Sequence, residues 1–175
     1  MKVLVLPNDF DMNEWIILVA LIAVYALFFL LPQRFPKTIT MLIYMFSISL
    51  EKATDLILEY PPYVLYYLND SMEFELFDFL TCFLYPAFGY LMLYVYDKWN
   101  VRGITIFFYL MAWSIFAVLF EWMMMKVRIF NYTGWTLFHS YAVYLLVVGL
   151  YIAFFHFVKY FFKKTMKESF GGLRN

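Results

Sequence analysis

Cysteine is almost absent: Cys82 stands alone among 175 residues. That excludes an internal disulfide, and a lone cysteine is no metal framework. In its apolar run Cys82 reads as a small buried or lipid-facing side chain. Charge is scarce as well. Only 15% of residues are charged and the net charge is zero, against about 25% charged in soluble domains. A neutral chain has no general attraction to nucleic acid. Also missing are a His-Glu-x-x-His helix, a Gly-x-Ser-x-Gly turn and a Gly-rich phosphate loop, so the sequence implies no cofactor. There is no internal repeat and no low-complexity stretch. The inverted repeat of many transporters is absent too.

What is abundant is apolar surface. Hydrophobic residues make up 65% of the chain and aromatic residues alone 25%. A soluble domain of this size keeps too much surface to hide them. In a bilayer, lipid solvates the outward side chains and each helix satisfies its own backbone. A spanning helix needs about 20 mainly apolar residues. Five segments qualify, at about 15–31, 38–58, 74–96, 104–125 and 136–162, predicting one all-α transmembrane domain. Pro32 and Pro36 stop the first segment. Its flank carries Asp9, Asp11 and Glu14 with only Lys2 basic, which does not read as a cleavable signal. Pro86 with Gly89 predicts a kink in the third segment. The stretch Tyr63–Leu68 is apolar and aromatic and is expected to lie in the membrane interface.

Lysine and arginine set the orientation. Arg34, Lys37, Lys98, Arg102, Lys159, Lys163, Lys164, Lys167 and Arg174 fall on one side of a five-span arrangement, and Lys2, Lys126 and Arg128 on the other. The richer side is cytoplasmic, so the expectation is an N-terminus outside, a C-terminus in the cytoplasm and a multi-pass protein of the cell membrane. Lys159, Lys163, Lys164 and Lys167 are expected to face anionic cytoplasmic lipid.

A charge at the bilayer centre costs about 2.5–3.5 kcal/mol on insertion scales, so each one asks for a reason. Glu51, Asp55, Asp78, Glu121 and His139 come from four different segments and fall at similar depth in the outer leaflet. Glu51, Asp55 and Glu59 share a helical stripe, and Lys52 is spaced to pair with Asp55. Three carboxylates together repel, so one retains a proton or binds a cation. Besides a catalytic site of the intramembrane-hydrolase kind, two readings stay open. In one, Lys52, Lys126 and Arg128 neutralise the acids in a structural network. In the other, Glu51, Asp55, Asp78, Glu121 and His139 form an ion, proton or small-ligand site. Carboxylate and imidazole also suit a divalent metal, whose identity the sequence leaves unknown. His156 reads as an interfacial histidine. Gly149 and Ala153 form a small-xxx-small pair that allows close helix approach, within one chain, in a homo-oligomer or against another membrane protein. Asn131-Tyr132-Thr133 fits a glycosylation sequon.

Tyr85-Pro86, Trp113-Ser114-Ile115-Phe116, Phe120-Glu121-Trp122, Lys126, Phe130-Asn131-Tyr132, Gly134-Trp135 and Ser140-Tyr141 carry a resemblance. From about Asp78 to Phe162 the chain resembles a family of small, uncharacterised polytopic membrane proteins of spore-forming Gram-positive bacteria. The resemblance implies a cytoplasmic-membrane location and no assigned activity. It directs attention to Glu121, Trp122, Tyr132, Trp135 and Ser140. The first functional expectation is a non-enzymatic structural, partner-binding or sensor subunit. The alternative is ion- or proton-coupled transport or small-ligand binding through the carboxylates. A membrane-embedded enzyme comes third.

Overall fold

A computed structural model of the chain describes residues 10–58, 62–68 and 76–171, with side chains through 168. Six helices and two short strands follow in the order α1 (Met12–Leu30), α2 (Lys37–Leu58), β1 (Tyr66–Leu68), α3 (Leu76–Thr81), α4 (Leu84–Lys98), α5 (Thr105–Lys126), β2 (Phe130–Tyr132) and α6 (Leu137–Gly171). Residues Lys2, Asp9, Glu59, Asp70, Glu73, Glu75 and Arg174, with the expected start of the third segment at 74, lie outside the described residues.

Four helical spans are long and apolar enough to cross a membrane: Met12–Leu30, Leu76–Lys98, Thr105–Lys126 and Leu137–Glu168. The fifth expected segment, α2, has the same length as α5 but is less apolar, because Glu51, Lys52 and Asp55 interrupt its last third. Glu51 and Asp55 are buried against the neighbouring helices.

The first helix begins three residues earlier than the apolar run suggests. Asp11 caps it: its side chain accepts from Asn13 N at 3.2 Å, while Asp11 N donates to Glu14 Oε2 at 2.8 Å. This reciprocal arrangement satisfies backbone donors at the helix start. The expected kink in the third segment occurs at Cys82–Phe83, which separates α3 from α4. Pro86 explains the position. It has no N–H for the Cys82 carbonyl four residues back, and its ring crowds that carbonyl. Gly89 serves packing instead. A Cβ there would stand 2.5 Å from Tyr151 Cε1, so α4 and α6 approach where glycine allows it.

The all-α expectation needs one correction. β1 and β2 form an antiparallel ribbon with Tyr66 opposite Tyr132, Tyr67 opposite Asn131 and Leu68 opposite Phe130. The stretch expected to lie flat in the interface therefore supplies a strand, and Asn131 of the sequon sits in its partner. Thr133 N donates to Leu65 O at 3.0 Å, and the Thr133 hydroxyl donates to the Val64 carbonyl. Val64 adopts a φ of 44°, a left-handed conformation costly for a β-branched residue.

Helices α2 and α6 pack on α4, α5 packs on α6, and α1 lies along α3 and α4. Ile43, Met92, Leu93 and Phe155 are fully buried in the main core. Ile17, Phe77, Met124 and Ile129 form a smaller cluster towards the ribbon. The bundle thus has a ribbon end and an opposite end. At the latter, Asp97 accepts from Arg34 Nε and from Lys159 Nζ, both at 2.6 Å, and the Arg34 fork also reaches the Asp97 carbonyl at 2.8 Å. Helix α6 has 35 residues and spans about 52 Å at 1.5 Å per residue. It outruns a hydrocarbon core of about 30 Å.

Candidate functional site

Near the ribbon end a cavity of about 100 Å³ opens between α2, α4, α5 and α6, and Glu51, Asp55 and Glu121 all line it. Each is more than nine-tenths buried. The helical period explains the first two: residues four apart lie one turn apart on the same face. Ser47, one turn further back, lines the cavity as well.

Each glutamate is held by one oxygen, and the other has no hydrogen bond among the described residues. Glu51 Oε1 lies 3.0 Å from Lys52 Nζ, and Glu51 Oε2 has no hydrogen bond. Glu121 Oε1 accepts from the Tyr132 hydroxyl at 2.5 Å and from Ser140 Oγ at 2.9 Å, and Glu121 Oε2 has no hydrogen bond. Trp135 Nε1 donates to Ser140 Oγ at 2.8 Å, which fixes the serine for its bond to Glu121. Asp55 is held at both oxygens, by the Tyr66 hydroxyl at 2.9 Å and by Lys52 at 3.5 Å.

The ribbon completes this arrangement. Directly opposed residues in an antiparallel pair project to the same face. Tyr66 and Tyr132 are such a pair, and one reaches Asp55 on α2 while the other reaches Glu121 on α5. Pairing two loops thereby bridges the carboxylates of two helices. Burial first, and the Glu121 carboxylate beside it second, hold the Tyr132 phenol above its ordinary range. It therefore remains a neutral donor.

Not all of the expected residues gather here. Asp78 is buried in α3 but does not line the cavity. His139 is exposed, with Thr136 Oγ1 2.9 Å from its Nδ1 and the Trp135 ring 5.1 Å away. The five do not converge, and no group of three or more acids, histidines and cysteines among the described residues is placed to hold a metal ion. Of the three cations expected to neutralise the acids, only Lys52 does so. Lys126 lies 5.4 Å over the Trp122 ring, and Arg128, at φ 59°, turns the chain from α5 towards β2. Neither forms an ion pair among the described residues.

Of the residues carrying the resemblance, Tyr132, Trp135 and Ser140 all belong to the Glu121 network, while Trp122 is exposed. Lys163, Lys164 and Lys167 are exposed on the extension of α6. Lys159 departs from the expectation of a lipid-facing side chain, because it is tied to Asp97 and lies 4.9 Å over the Phe155 ring. His156 bonds the Tyr96 hydroxyl at 2.9 Å.

The sequence reading missed Tyr66, Tyr85, Tyr144 and Tyr151, which also line the cavity. Tyr85 carries part of the resemblance and Tyr66 lies in the aromatic stretch Tyr63–Leu68, but among 16 tyrosines nothing local places any of the four at the acids. It missed Glu14 too, which is fully buried with Oε1 unpartnered; the Asp11-x-x-Glu14 spacing of a capping box was the available signal.

No family model, no curated protein and no solved structure matches the chain. The chemistry of the site therefore rests on its geometry. Three carboxylates line a small cavity rimmed by phenols, one ammonium, Lys52, pairs with two of them from beside it, and two carboxylate oxygens are left over among the described residues. Such a site offers acceptors to a guest that brings donors or positive charge.

Proposed function

We propose that this chain is a five-span protein of the cell membrane, its N-terminus outside and its C-terminus in the cytoplasm, that binds a small cation at the tyrosine-rimmed acidic cavity. The distribution of lysine and arginine supports the orientation. The burial of Glu51 and Asp55 supports α2 as the fifth span, since an intramembrane charge is tolerated where it faces protein or a cavity. One observation carries the binding reading: Glu51 and Glu121, on different helices and both nine-tenths buried, each keep an unpartnered oxygen and line the same cavity. An excess of carboxylate in apolar surroundings is offset by a cation or a retained proton. The cavity favours a guest of a few heavy atoms.

The test is calorimetric titration of the protein in nanodiscs with sodium, potassium, calcium and methylammonium in turn, repeated on Glu51→Gln and Glu121→Gln. Saturable binding of one of these cations, weakened at least tenfold by both substitutions, is the expected result. Binding of none, or binding indifferent to both substitutions, overturns the reading.

A subunit role has one observation in its favour. A Cβ at Gly149 would meet nothing within 4 Å, and Ala153 is exposed. The small pair of α6 thus faces away from this chain's own packing and is open to another helix. If it is used, Gly149→Leu shifts the protein to a smaller species in analytical ultracentrifugation. An unchanged sedimentation profile removes this reading.

A further inference from the structure

A second chamber adjoins the acidic cavity. It has a volume of about 140 Å³ and shares Glu121, Tyr85, Phe130, Tyr144 and Tyr151 with the first as a common wall. Beyond that wall its character changes. Ala20 of α1, Phe88 of α4, and Phe116, Ala117 and Phe120 of α5 line it, and among the described residues Glu121 is the only charged one in its lining. The chamber exists because α5 packs closely on α6 and makes no comparable contact with α1 or α4. Phe116, on its wall, is half exposed, so the chamber reaches the outer flank of α5.

The geometry points to an amphiphilic amine as the guest: a cationic head at Glu121 and Glu51, and a single alkyl chain lying in the second chamber. This rests on the cation site proposed above and specifies its ligand. An anionic head meets three carboxylates against one lysine, and a neutral polar head leaves that excess of charge uncompensated. A guest without a chain leaves the adjoining apolar chamber unused. Glu121 faces both chambers and sits where the head and chain would join.

Trp135 lines the acidic cavity and Trp113 the apolar chamber, so each has its own fluorophore. Replacing Trp15, Trp99 and Trp122 with Phe isolates them in the full-length protein in nanodiscs. The probe is decylamine brominated at its chain end, with bromodecanol as the neutral control and methylamine as the chainless one. The expected result is saturable quenching of Trp113 by the bromoamine, displaced by decylamine and not by decanol. Decylamine should bind at least tenfold tighter than methylamine, and Glu121→Gln should weaken both tenfold or more. Ala117→Phe fills the apolar chamber and should weaken decylamine tenfold while leaving methylamine unchanged. Ala20→Phe fills it from α1 and substitutes if the first variant does not fold. If methylamine binds as tightly as decylamine and neither filling variant matters, the chain chamber is wrong and the cation site stands. If bromodecanol competes equally, the cationic head is wrong. If no amine of either length saturates, this inference falls, and the cation site then stands or falls on the sodium, potassium and calcium titrations.

Discussion

The two ends of the bundle treat their acids in opposite ways. At the end away from the ribbon, one carboxylate meets two cations: Arg34 and Lys159 each approach Asp97 to 2.6 Å, and the three come from the α1–α2 connection, α4 and α6. At the ribbon end, three carboxylates line one cavity with a single lysine paired to two of them, and each glutamate keeps an oxygen without a hydrogen bond among the described residues. The first is a staple between elements, with each carboxylate oxygen held by its own cation. The second has acceptors to spare around an open volume. The number of acids alone does not separate a structural network from a site. The ratio of acid to cation, with space beside it, does.

Several changes would break or sharpen this contrast. Largest is Glu51→Gln with Glu121→Gln together: cation binding in nanodiscs should fall by more than tenfold, over about 1.4 kcal/mol, without loss of thermal stability. Stability falling in step with binding would make the ribbon end a staple as well. Asp97→Asn should do the reverse. It leaves two cations without their acid, and because these side chains are about a quarter to a third exposed, solvent screens part of the loss. We expect about 1–2 kcal/mol in denaturant unfolding and unchanged cation binding. Tyr66→Phe or Tyr132→Phe removes one hydrogen bond to Asp55 or Glu121 and should cost about 1 kcal/mol each. Tyr132→Phe should also change cation affinity, since it leaves Glu121 Oε1 with the Ser140 donor in place of two. Smallest is Lys126→Gln. Lacking an ion pair among the described residues, it should shift stability by less than about 0.5 kcal/mol. A larger loss would show that the neutralising role expected from sequence is real.

Much of the architecture was legible along the chain. The apolar runs marked the four long apolar spans, because a run of that length is a local property. Pro86 announced the break in the third. The stripe of Glu51 and Asp55 was readable from helical spacing, and Lys52 from its place beside them. Glu121 stood out as a charge in an apolar helix and does line the cavity, whereas Asp78 and His139 looked equivalent and do not. Depth can be counted along a helix, but the rotation of one helix about its axis relative to its neighbours cannot. That rotation decides which acids meet. The cations failed for a related reason. Lys126 and Arg128 lie at the correct depth, but the turn that carries Arg128 in a left-handed conformation leads into β2, and the strand brings Tyr132 to Glu121 instead.

Composition and run length by themselves determined that this chain is mostly helical, with four helices among the described residues long and apolar enough to cross a membrane, because each such helix satisfies its backbone locally and its side chains need only an apolar surround. Only the tertiary structure decided which polar groups share a cavity. That rests on α2 and α5 both facing α6, and on two short loops pairing as a ribbon whose opposed tyrosines reach two helices. Strand pairing between segments more than 60 residues apart depends on where the helices deliver their ends, and no local pattern encodes that.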